Sequence, residues 1–126
     1  MSLRTLGLTL ALLAAPFPAL AQEAPAGGPP IEVLLDLSET LGQAQAVRAR
    51  CNGDSDQTWR DYMMRLLAIE APSGPRRSAL TSAFNRGYRS QNDRTPSCTS
   101  DMRQIEAQIA ARGRQLSESV AASYLQ

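Results

Sequence analysis

Across residues 31–126 the apolar positions recur at the three- and four-residue spacing of amphipathic helices, and no stretch alternates with the two-residue period of a strand. Four segments carry the pattern. In the first, about 31–50, Leu34, Leu37, Leu41, Ala44, Arg48 and Cys51 form one stripe. Asn52-Gly53 ends it, because both residues tolerate the left-handed conformation of a helix C-terminus. The second, about 56–71, presents Trp59, Tyr62, Met63, Leu66 and Glu70, with Asp54, Ser55 or Asp56 placed to accept its first free N–H groups. Pro72-Ser73-Gly74 separates it from a third helix that begins at Pro75, a favoured first-turn residue. That helix carries Leu80, Ala83, Phe84, Gly87 and Tyr88 inward and stops before Pro96. The fourth, about 100–124, repeats Met102, Ile105, Ile109, Arg112, Leu116, Val120 and Tyr124, with Thr99 as its expected N-cap. The fold class expected is all-α, a small four-helix bundle-like domain. Trp59, Met63, Leu66, Leu80, Phe84 and Tyr88 are its expected core outside the first helix. Met64 falls off the stripe and is expected at the surface.

The segment before the helices is of a different kind. Residues 1–21 have the layout of a secretory signal: Arg4, an apolar run from Leu6 to Ala15, and Ala19-Leu20-Ala21 as a cleavage site. The apolar run is shorter than the ~20 residues that a membrane span requires. Cleavage after Ala21 is therefore expected, followed by a Pro/Gly/Ala leader over 22–30 that is disordered by composition and a helical domain over 31–126. No later segment is apolar enough to span a membrane.

Export changes the reading of the two cysteines. Cys51 closes the first helix and Cys98 stands just before the fourth. In an oxidising compartment an even cysteine count favours one disulfide over two free thiols, and the absence of a CxxC spacing argues against a redox dithiol. The bridge would enclose the second and third helices, read here as an inner hairpin flanked by the first and fourth.

Charge narrows the function classes. All 13 basic residues are arginine and there is no histidine. Removing Arg4 with the signal leaves 12 arginines against 12 acids, a balance that argues against nucleic acid or an anionic membrane as partner. Without histidine, a Ser-His-Asp triad, a Cys-His nucleophile and a histidine zinc site are all excluded. No cofactor is implied. The Asp54-Ser55-Asp56 run lacks the later acidic ligands of a calcium loop, so helix capping is the better reading.

Three groups of residues remain. Glu70 and Arg48 each fall on an otherwise apolar stripe, where a charge needs a partner. The expectation is an ion pair or helix-end hydrogen bonds, with Glu70 held by Arg48, Arg86 or Arg89, ahead of a general acid/base role for Glu70. The segment 76–94 holds five arginines and one acid. Within it Asn85, Arg86 and Arg89 share an outer face, suited to carboxylates because the arginine fork donates two parallel hydrogen bonds. Gly87, costly in a helix interior, allows close approach of another helix, such as the one bearing Trp59.

These residues also carry a family resemblance. Cys51-Asn-Gly, Gln57-Thr58-Trp59-Arg60, Glu70-Ala-Pro72, Phe84-Asn85-Arg86-Gly87-Tyr88-Arg89 and Cys98-Thr99, in this order, resemble an uncharacterised family of small exported alphaproteobacterial proteins with two well-separated cysteines. The resemblance covers roughly 34–124 and implies a Gram-negative periplasm; it brings no activity. The functional expectation is an exported, non-catalytic envelope protein that docks a periplasmic protein or cell-wall component with acidic groups. The alternatives are a cell-wall-directed enzyme or enzyme accessory using Glu70, and a small-ligand binder with a cavity in the bundle.

Overall fold

The structure is a computed structural model that describes residues 28–126. The signal sequence and residues 22–27 of the leader lie outside the described residues. Four helices follow in order: α1 (Ile31–Asn52), α2 (Thr58–Glu70), α3 (Gly74–Arg94) and α4 (Met102–Ser123), with no strand among the described residues. The all-α expectation holds, and each helix lies within a few residues of its expected limits. Packed chain begins before residue 31, however. Pro29 is buried, and its carbonyl accepts a hydrogen bond from Arg76 Nη2 at 3.2 Å.

The arrangement of the helices differs from the expected inner hairpin of α2 and α3. α1 is the inner helix. It packs along its length against α3, extensively against α4 and more briefly against α2, whereas α2 and α3 touch at few points. The cause is the composition of α1. Besides Leu34, Leu37, Leu41 and Val47 it buries Ser38, Thr40, Gly42, Ala44, Ala46 and Ala49, small residues distributed around its circumference. A helix that is compact and uncharged over most of its circumference can be covered from several sides. Its hydroxyls satisfy themselves locally: Ser38 donates to the Leu34 carbonyl and Thr40 to the Asp36 carbonyl, both at 2.7 Å.

α3 runs parallel to α1. Arg76 meets Pro29 at one end, and Arg50 of α1 donates to Asn92 Oδ1 at the other. Between these points the two backbones come into direct contact at Gly42 and Gly87. A Cβ on Gly42 would lie 2.0 Å from the Phe84 carbonyl oxygen. The partner that Gly87 admits is thus α1 rather than the helix bearing Trp59. α2 and α4 both run antiparallel to α1.

The core gathers Leu34, Leu37 and Leu41 of α1 with Met63, Leu67, Ala71, Leu80, Phe84 and Val120. Of the expected core residues, Met63, Leu80 and Phe84 are buried. Trp59 and Leu66 are half-buried against the core, and Tyr88 is half-buried. On α4 only Met102, Gly113 and Val120 are buried, and Arg112 of the expected stripe is exposed, because α4 covers α1 from one side only. Cys51 and Cys98 are disulfide-bonded, with Cα atoms 5.0 Å apart. The bridge fixes the end of α1 to the segment that leads into α4.

Candidate functional site

The polar groups are organised where α1 ends and α2 begins. Gly53, at φ +87° and ψ 167°, turns the chain out of α1 in a positive-φ but extended conformation that favours glycine, rather than in the left-handed helical conformation expected of Asn52-Gly53. The chain then needs acceptors for the free N–H groups opening α2. Two side chains supply them. Asp56 Oδ1 accepts from the Thr58 amide at 3.2 Å and from the Thr58 hydroxyl at 2.7 Å. Gln45, buried on α1, accepts from the amides of Trp59 and Arg60, both at 3.1 Å, and donates to the Asp56 carbonyl at 2.6 Å. The Asp54-Ser55-Asp56 run is therefore a capping device. Thr99 does not cap α4: its hydroxyl donates to Asp101, the N-cap residue, and its carbonyl accepts from the Met102 amide.

Arg48 joins this junction to α4. Its Nε lies 3.0 Å from Asp56 Oδ2 and its Nη1 2.8 Å from Glu106 Oε1, and Glu106 Oε1 also accepts from Trp59 Nε1 at 2.8 Å. Hydrogen bonds to Glu106 and Asp56 raise the Arg48 pKa further above the ordinary arginine value, so the guanidinium is a fixed cation. Hydrogen bonds from the Thr58 hydroxyl, Asn52 and the Thr58 amide, and then Arg48, hold the Asp56 carboxyl well below the usual carboxylate range. Trp59 thus acts at once as a partner to the core and as a donor to a charge cluster that spans α1, α2 and α4.

The expected ion pair of Glu70 with Arg48, Arg86 or Arg89 does not form. Arg48 is committed to Asp56 and Glu106, at the opposite end of α2. Arg86 faces Glu39 on α1, at 3.6 Å. Glu70 instead accepts from the Tyr124 hydroxyl through Oε1 at 2.6 Å and Oε2 at 2.7 Å. That carboxylate raises the Tyr124 pKa, burial adding to the effect. Glu70 is only half-buried near a helix terminus, where a phenol suffices as partner.

The arginines of α3 divide by position. Arg76 and Arg77, at its start, donate to the carbonyls that close α2: Arg76 Nε to Glu70 O at 3.1 Å and Arg77 Nη1 to Ala71 O at 3.3 Å. Arg94 donates to Ser90 and Gln91 on its own helix. Asn85, Arg86 and Arg89 are all exposed, as the sequence pattern requires. Among the described residues Arg89 has no carboxylate within ion-pair reach.

Two open grooves flank α2. Toward α4, a space of about 650 Å³ is floored by Leu37 and Leu41 and walled by Trp59, Tyr62 and the small side chains of Ala107, Ala110 and Ala111. It is open to solvent, unlike the closed cavity that a ligand binder of the bundle core requires. Toward α3, a groove of about 270 Å³ lies over Met63, Leu67 and Phe84, with Arg60 and Arg77 on its walls and Asn85 at its edge. Gln45 and Glu106, which organise the polar junction, escape the sequence reading. The available signal for Gln45 is an amide inside the otherwise small and apolar run Ala44–Val47. Glu106 neighbours the α4 stripe and carries no signal of its own.

Fold and site together define a small all-helical domain, stapled by one disulfide, with an arginine-bordered surface. Over residues 30–124 the chain matches the family described as Protein of unknown function (DUF2385), and it belongs to that family. No curated protein and no solved structure matches it.

Proposed function

We propose that this protein is exported to the periplasm of a Gram-negative, alphaproteobacterial cell and serves there as a non-catalytic interaction module. It docks an acidic partner, a protein or a cell-wall component, through the arginine-rich face of α3. The observation that carries the reading is the distribution of charge. Residues 76–94 hold five arginines and one acid in a chain of formal net charge +1, and Asn85, Arg86 and Arg89 stand exposed on the outer wall of the bundle. Arg86 meets Glu39 only at 3.6 Å with both side chains well exposed, a contact that a better acceptor can displace. The signal-like residues 1–21 support export, and the Cys51–Cys98 disulfide is compatible with it.

The rival reading makes Glu70 the acid/base of a cell-wall-directed enzyme. It finds less support, because both carboxylate oxygens accept from a single tyrosine hydroxyl. Crosslinking of the exported protein in periplasmic extract, wild type against R86A/R89A, tests the docking reading. The double variant is expected to keep its helical circular dichroism and lose the captured acidic partner. Unchanged capture refutes the proposal.

A further inference from the structure

We infer that the groove between α2 and α3 receives an extended acidic segment of a partner protein, with one large apolar side chain seated between two carboxylates. The inference takes the acidic partner from the docking reading above and seats it in a groove that meets the outer face of α3 only at Asn85.

The lining of the groove carries the argument. Its base is Met63, Leu67 and Phe84, and its α2 wall adds Met64, which is 51% exposed although apolar. Methionine adapts its shape to an incoming side chain, which suits it to such a wall. None of the lining residues is acidic, whereas Arg60 and Arg77 are both cationic. Neither has a carboxylate within ion-pair reach among the described residues. Arg60 rests its guanidinium over the Phe84 ring, 5.3 Å from the centroid, which leaves its N–H edge free to donate. Arg77 spends one nitrogen on the Ala71 carbonyl and, at 3.5 Å, on the Pro72 carbonyl, and keeps further donors.

The spacing of the two cations selects the class of ligand. Arg60 is level with Phe84, and Arg77 lies seven residues before Phe84 on α3, roughly 10 Å along the helix axis at ~1.5 Å per residue. A ligand with two separated carboxylates matches that spacing. An extended segment places side chains at i, i+2 and i+4 on one face over about 13 Å. Carboxylates at i and i+4 then meet the two arginines, and the residue at i+2 enters the apolar centre. α2 and α3 are in contact at few points, which leaves the groove between them open.

The test uses fluorescein-labelled Asp-Ser-Phe-Ser-Asp as probe, followed by anisotropy against the intact exported chain. Wild-type protein is expected to bind it and to bind the Asp→Asn and Phe→Ser peptides at least ~10-fold more weakly. R60E and M64D, both changes of exposed side chains, are each expected to weaken binding by a similar factor, and R114E on α4 to leave it unchanged. Absence of binding to the wild type overturns the inference, as does equal binding by R60E and M64D. Displacement of the peptide by dodecanoate at equal potency also overturns it, in favour of a fatty-acid site. Loss in R86A/R89A with R60E and M64D inert keeps the docking reading and removes the groove. Loss in R60E and M64D with R86A/R89A inert keeps the groove and removes the outer face.

Discussion

Gly87 of α3 lies so close to Glu39 of α1 that a Cβ on Gly87 would sit 2.0 Å from the Glu39 carbonyl oxygen. Gly42 faces the Phe84 carbonyl in the same way from the other side. Each glycine removes the side chain that would hold the helices apart, and the obstacle is backbone, which cannot rotate away. Gly87→Ala is therefore expected to destabilise by about 3 kcal/mol, the upper range for overpacking, even though alanine is the better helix former by ~1 kcal/mol. Gly113 of α4 is the internal control. A Cβ there meets only the Thr40 methyl, at 3.6 Å. Gly113→Ala is expected to stabilise by ~0.5–1 kcal/mol. Urea denaturation of the two variants checks both signs, and equal effects would remove the close-contact account.

The buried amide of Gln45 gives a second expectation. It makes three hydrogen bonds across the α1–α2 junction, two of them to amides that α2 cannot satisfy itself. Gln45→Leu keeps the volume near native and takes the acceptor from two part-buried amides, at a cost of about 1 kcal/mol. Loss should concentrate at the start of α2. Hydrogen exchange should show faster exchange at the Trp59 and Arg60 amides, with Leu80 and Phe84 on α3 little changed. Uniform loss of protection across the domain would contradict this local role.

Helix number, helix limits and the disulfide were legible because each rests on a local signal: spacing, Asn52-Gly53, Pro72, Pro96 and an even cysteine count. The order of helices around the core was not. α1 looked like one amphipathic stripe, since Ser38, Thr40, Gly42 and Gln45 read as polar or neutral. Burial of these residues depends on partners elsewhere: carbonyls one turn back, the backbone of α3 and the amides of α2. The partner of Glu70 was missed for the same reason. Tyr124 stands 54 positions away, and a phenol at the end of a helix carries no sign of which carboxylate it will meet. The exposure of Asn85, Arg86 and Arg89 on α3 was legible because it follows from helical period alone.

Reduction of the disulfide tests how much of the fold the core holds alone. The bridge closes 47 residues that include α2 and α3. The chain-entropy relation assigns a loop of that length about 4 kcal/mol, a large share of the ~5–15 kcal/mol typical of a domain. C51S/C98S is expected to melt well below the wild type while remaining helical at low temperature. Reductant should lower the wild-type midpoint to that of the double variant and leave the variant unaffected. A midpoint insensitive to both changes would show that packing on α1 suffices.

The Asp56 carboxyl supplies the pH dependence. Its folded pKa is depressed, first by the Thr58 hydroxyl and then by Asn52 and the Thr58 amide. A depressed pKa means that the stabilisation is complete above the unfolded value of ~3.9 and is lost as pH falls toward the folded value. Asp56→Asn keeps the shape of the cap and removes the charge that Arg48 also meets, at 3.0 Å. The stability gap between wild type and D56N should therefore be constant from about pH 7 to pH 5 and narrow below about pH 4. The partner arginine cannot produce this trend, because Arg48 stays charged throughout. Urea midpoints measured from pH 7 to pH 2.5 decide it. A gap that stays constant to the lowest pH would show that Asp56 stabilises the junction only as a hydrogen-bond acceptor of fixed shape. A gap that widens would show that its charge is unfavourable in the folded protein.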